Sequence, residues 1–308
     1  MKDLRWPVAV VVCSLVPVGV AGQAPRTLDG QPDLQGLWTN STTTPLERPP
    51  DLADRAVLSD EEVATLDAAA VGRNDRPPRP GDPGTYNEFW WERGTRLSQA
   101  SLVVDPPDGR IPALTADGQA RAGWALSSDS WTNRNLAERC VTRGAPKRPG
   151  GYNNNFLILQ TPGYVAILQE MIHEVRIIPL DDRPHIDDDI RLWMGDSRAR
   201  WDGQTLVVET TNFGEQIIFN SYNCCPGAGA HLRLEERFTR VDADTIDHRY
   251  TVDDPTTYAG PWTASMPLAR FEGPIYEYAC HEGNYGMENL LRGARVQEDD
   301  VARSAGSK

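Results

Sequence analysis

This chain has no basic run and no nucleotide-binding glycine loop, and it is sparing with histidine and cysteine, at five of each in 308 residues. Its 44 acidic residues outweigh 31 basic ones, for a net charge of −13. A surface of that sign repels nucleic acid and anionic lipid, so no nucleic-acid partner is expected. Gly-x-Ser-x-Gly, Rossmann and phosphate-loop patterns are missing too. Their absence argues against ordinary serine hydrolases, dehydrogenases and nucleotide enzymes. Past the N-terminus, no apolar stretch approaches the ~20 residues of a membrane span, so the mature protein is expected not to be membrane-spanning.

The N-terminus itself reads as a secretory signal. Lys2 and Arg5 precede an apolar stretch from Pro7 to Val20, which ends in the small residues around Ala21-Gly22. That order of charge, apolar stretch and small residues predicts export to the periplasm or beyond, with residues 1–22 removed. Cys13 is a poor lipoprotein site, because Val12 stands where a small residue is wanted. Removal of the signal leaves Cys140, Cys224, Cys225 and Cys280. In an oxidising compartment an even number points to disulfides, with three pairings open. Neighbouring cysteines bridge each other only with strain, so a Cys140–Cys280 bridge is preferred, with the fate of Cys224 and Cys225 left open.

Residues 23–150 are proline-rich and read as an irregular arm with short helices. Leu37-Trp38-Thr39 is a plausible strand, and Leu102-Val103-Val104 another. Ser59 and Glu62 form a capping box between Leu58 and Val63, Thr115 caps a second helix toward Leu126, and Asn133 to Cys140 suggests a third. From 151 to 308 the pattern becomes β. The expected strands are 156–161, 164–170, 175–180, 205–211, 231–238, 246–252, 262–268 and 275–280, joined by turns such as Pro162-Gly163 and Asp202-Gly203. Meander-like spacing predicts an antiparallel β-barrel, with a sandwich as the alternative. Closure removes sheet edges, which favours the barrel.

Two resemblances add to this. Gly36-Leu37-Trp38 resembles the Gly-x-Trp signature of lipocalin-like barrels, although Gly260-Pro261-Trp262 matches it equally. It implies an interior that holds a small ligand. Longer segments are Pro32-Asp33-Leu34-Gln35-Gly36-Leu37-Trp38, Asp105 to Ile111, Arg183-Pro184-His185 and Gly195-Asp196-Ser197-Arg198. Thr210-Thr211-Asn212-Phe213 and Glu277 to Tyr285 complete the set. Through them the chain resembles a family of secreted proteins of soil and environmental bacteria, which implies export and no particular chemistry.

The candidate chemistry gathers around histidines. His281 sits beside Glu282 in a Gly/Asn/Tyr-rich turn after the last expected strand, and an imidazole next to a carboxylate suits proton transfer or metal ligation. Glu277, flanked by Tyr276 and Tyr278, is a candidate acid; the plainer reading is an ion pair with Arg176, Arg198 or Arg295. His185 lies between Arg183-Pro184 and Asp187-Asp188-Asp189. Should His173, His185 and His281 meet with Asp187, they would form an open site for a divalent metal. Arg183 and Arg198 are candidates to hold an anionic group, and Tyr278, Asn284 and Tyr285 to contact substrate. His248 alternates with Ile246, Tyr250 and Val252 and reads as a satisfied core histidine. Three functions follow in order. The first is an enzyme acting on a small molecule or saccharide-like substrate by acid/base or metal-assisted chemistry (lyase, isomerase or hydrolase). A noncatalytic barrel binding an apolar or aromatic ligand comes next, and a structural envelope protein last.

Overall fold

In the computed structural model the described residues are 25–74, 88–124, 128–172, 174–214 and 229–306. The expected signal segment, His173, Cys224 and Cys225 lie outside them. Eleven strands form one sheet: β1 (Gly36–Thr39), β2 (Val103–Asp105), β3 (Asn155–Thr161), β4 (Tyr164–Gln169), β5 (Val175–Pro179), β6 (Asp196–Asp202), β7 (Thr205–Thr211), β8 (Arg233–Arg240), β9 (Thr245–Asp253), β10 (Trp262–Ser265) and β11 (Leu268–Arg270). Three helices accompany them: α1 (Asp60–Asn74), α2 (Ala116–Trp124) and α3 (Gly286–Gly306). None of the described helices is long and apolar enough to cross a membrane.

Nine strands run in the order β5-β4-β3-β1-β11-β9-β8-β7-β6, every ladder antiparallel, and β10 joins β9 to β2 beside this path. The two ends, β5 and β6, lie alongside each other, so the sheet is a nearly closed barrel. Its staves are set by alternation. Ile246, His248, Tyr250 and Val252 of β9 all point inward and are buried. Opposite them, Trp38, Phe156, Ile158, Val165, Ile167, Ile178, Leu206, Val208 and Phe238 fill the interior. Each such side chain contributes ~1.5–3 kcal/mol by leaving water. Trp38 comes from the expected arm, yet β1 is a stave between β3 and β11. The guanidinium carbons of Arg240 and Arg270 lie 4.7 and 5.5 Å from its ring centre, and its Nε1 donates to the Leu34 carbonyl at 2.9 Å. Gly36 has φ 130°, and a Cβ there would come within 2.6 Å of the Arg270 guanidinium.

The capping box forms as expected: Ser59 N donates to Glu62 Oε2 at 2.9 Å and Glu62 N to Ser59 Oγ at 3.3 Å. Thr115 Oγ1 accepts from Gly118 N at the start of α2. Cys140 and Cys280 are bridged.

Three expectations about secondary structure need correction, and two elements were not anticipated. Residues 275–280 form no strand; the segment runs outside the sheet, with Tyr276 exposed and its N–H spent on Glu170 Oε1. Residues 133–140 make turns instead of a helix, ended by Cys140 at φ 56°. The expected strand 262–268 is split into β10 and β11 because Pro267 has no N–H to give; both pieces keep the same register on β9. Lastly, β6 and α3 were not expected. β6 hides its pattern because Arg198, Arg200 and Asp202 face out while only Ser197, Ala199 and Trp201 face in.

Candidate active site

After β5 the chain crosses the outward face of the β6–β7 hairpin, and this crossing builds a groove of about 270 Å³. Antiparallel register places Arg198 opposite Glu209, Arg200 opposite Val207 and Asp196 opposite Thr211 on that outward face. His185 descends onto them. Its Nδ1 lies 2.8 Å from Asp196 Oδ2, and an ionised carboxylate only accepts, so Nδ1 carries the hydrogen. Asp196 is 8 % exposed and is held by further donors: Ile186 N at 3.3 Å on the same oxygen and Arg198 Nη1 at 2.7 Å on Oδ1. The other ring nitrogen, His185 Nε2, is left 3.6 Å from Glu209 Oε1, which also accepts from Arg233. The loop is fixed from beneath by Asn212, whose Nδ2 donates to the carbonyls of Ile186, Asp187 and Ile190. A histidine oriented by a carboxylate, with its second nitrogen toward a groove, is the arrangement general acid–base chemistry uses.

The two arginines expected to hold an anion are engaged otherwise. Arg183 is clamped to both oxygens of Asp181 and reaches Tyr164 Oη at 3.3 Å. Hydrogen bonds from Arg183 hold the Asp181 carboxyl below its usual range. Arg198 is taken by Asp196 and by the Pro184 carbonyl at 3.1 Å. Arg200 lines the same groove, is exposed, and has no ion-pair or hydrogen-bond partner among the described residues.

Other sequence candidates lie elsewhere. His281, Glu282 and Tyr285 are exposed and line neither this groove nor the cleft beside the disulfide. Tyr278 and Asn284 do line that cleft, about 420 Å³, with Arg143, Met287 and Leu290; Asn284 Nδ2 lies 3.3 Å from Cys140 Sγ. Glu277 is exposed, and the arginines proposed for it are taken: Arg176 by Glu236, Arg198 by Asp196 and Arg295 by Glu298. The expected metal set is not assembled from the described residues, among which no group of three His, Cys, Asp or Glu could hold an ion. His185 turns to Asp196, and Asp187 Oδ1 accepts from Asp189 N in an exposed turn.

Sequence reasoning missed a second ionic group, inside the barrel. Arg176 of β5 faces inward and grips both oxygens of Glu236 on β8. His248 Nε2 lies 3.3 Å from Glu236 Oε1, outside hydrogen-bonding geometry, and its ring stacks on Phe238 at 4.2 Å. Burial pushes the Glu236 carboxyl up, but the Arg176 guanidinium and His248 outweigh it and hold it down at about 2. Lys147, 2 % exposed, lies nearby and donates to Asn154 Oδ1 at 2.9 Å. Burial first, then the charge of Arg143, pulls its ammonium down to about 7 against the opposing pull of Glu92 and Glu170. The signal for Glu236 was there: it shares the alternation of Leu234 and Phe238.

No family model, no curated protein and no solved structure matches this chain.

Proposed function

We propose that the protein is an exported enzyme that moves a proton on a small anionic molecule, with His185 as the acid–base group. The observation that carries this reading is the 2.8 Å contact between His185 Nδ1 and Asp196 at the wall of a 270 Å³ groove. Asp196 fixes the ring, leaving Nε2 as the atom that gives or takes a proton from substrate. Arg200, exposed two residues along the outward face from Arg198 and without an ion-pair partner among the described residues, is the group for a carboxylate or phosphate. Lyase, isomerase and hydrolase chemistry would all fit such a group. Export is supported by the N-terminal signal pattern and by the Cys140–Cys280 bridge, which suits an oxidising compartment. The resemblance to secreted bacterial proteins points the same way.

A noncatalytic barrel is the second reading, and its ligand would sit in the cleft where Tyr278, Met287 and Leu290 gather. The barrel interior gives it less support, since the cavity between Phe156, Gln169, Arg176 and His248 measures only about 10 Å³.

To test the enzyme reading, purified protein is incubated with a panel of small carboxylates, sugar acids, lactones and phosphate esters, and consumption is followed by proton NMR. A converted compound should lose ~100-fold or more in rate with His185→Gln and also slow with Asp196→Asn. Turnover that survives both substitutions would remove His185 from the chemistry.

A further inference from the structure

Buried polar atoms without protein partners gather at one place in the barrel. Gln169 Oε1, Arg176 Nε and both ring nitrogens of His248 are shielded from solvent and make no hydrogen bond among the described residues. Their residues are each more than nine-tenths buried. All three line a single cavity of about 10 Å³, together with Lys147, Glu236 and the apolar walls of Phe156, Ile158 and Phe238.

Partnerless polar groups are costly in an interior, and native proteins rarely leave several in one spot. A volume of about 10 Å³ is close to one probe sphere, the least that holds a water molecule. It is too small for a substrate. The donors and acceptors are also complementary to water: Arg176 Nε–H donates, Gln169 Oε1 accepts, and a water can meet a ring nitrogen of His248 as either donor or acceptor. A halide would find no use for the Gln169 oxygen and would sit against the Glu236 carboxylate.

We propose that this cavity is a binding site for one resident water, held by Arg176 Nε, Gln169 Oε1 and a ring nitrogen of His248. The water ties β4, β5 and β9 together across the interior and fixes the His248 ring on Phe238. This inference is independent of the groove chemistry.

Crystals of the full exported chain, diffracting well enough to place single waters, test it directly, with a parallel set grown in bromide in place of chloride. We expect one density peak in the cavity, ~2.7–3.2 Å from Arg176 Nε and Gln169 Oε1, and no anomalous peak there in bromide. In solution, a nuclear Overhauser contact from bulk-exchanging water to the Gln169 side-chain amide should appear in wild type and be lost in His248→Phe. A dry cavity would overturn the proposal, and so would a bromide peak, which would make the site an anion site.

Discussion

Arg176 and Glu236 meet across the barrel interior with 5 % and 1 % of their side chains exposed. At the 3.1 Å separation of the longer of their two contacts, two unit charges attract by about 5 kcal/mol at an effective dielectric constant near 20. Much of that attraction is offset by taking both ions out of water. Removing one partner is a different matter, because the other stays buried without compensation. Arg176→Met should therefore destabilise the fold by ~3–5 kcal/mol, which for a chain of this size lowers Tm by about 5–15 °C. Glu236→Gln should do similar damage by stranding Arg176. The double variant Arg176→Met/Glu236→Leu refills the space with apolar atoms and should lie closer to wild type than either single change. Thermal unfolding followed by circular dichroism measures all four proteins. A double variant less stable than both singles would refute the reasoning, and so would an Arg176→Met loss below ~1 kcal/mol, the range of a surface pair.

Lys147 adds a pH signature. Its ammonium sits near 7 in the fold against 10.5 when free, so between those values the unfolded chain holds more protons and stability rises with pH. Wild type should gain on Lys147→Met as pH climbs from about 7 toward 9.5 in urea titrations; a constant gap would mean that Lys147 stays charged. Glu236 gives a slope of the same sign at the acid end: with its carboxyl depressed to about 2, the stability it confers is complete above ~4.5 and drains as pH falls toward 2. Loss of the cap in Ser59→Ala should cost ~1 kcal/mol, read as a small drop in the urea midpoint. The Cys140–Cys280 bridge spans 140 residues, so Cys140→Ser should cost ~4–5 kcal/mol in the chain-entropy view; peptide mapping without reductant should recover the joined peptide from envelope material, and free thiols at both positions would exclude it.

Alternation made the β9 stave legible, and capping chemistry made α1 legible, because both are local rules that the tertiary structure left unopposed. Arg176 was illegible for the opposite reason. In β5 the charged residue faces in while Val175 and Ile177 face out, Ile177 at 68 % exposure, an inversion that only Glu236 on a distant strand explains. The α3 helix carried a readable signal in Met287, Leu290, Leu291 and Ala294, spaced to share a face, with Glu288 paired to Arg292 four residues on. Of the histidines, His281 drew attention through its neighbour Glu282, yet adjacency in sequence left both in solvent. His185 gained its partner from eleven residues away, on a strand whose charged outward face concealed it. Glu209 came into view only through the β6–β7 register.

Whether the His185 groove is where substrate binds is answered most directly by diffraction from crystals soaked with a panel of small carboxylates and phosphate esters. We expect bound compounds to place their anionic group on the Arg200 guanidinium, with a polar atom within ~3 Å of His185 Nε2. Ligands seated only in the cleft of Tyr278, Asn284 and Leu290, with the groove bare across the panel, would contradict it.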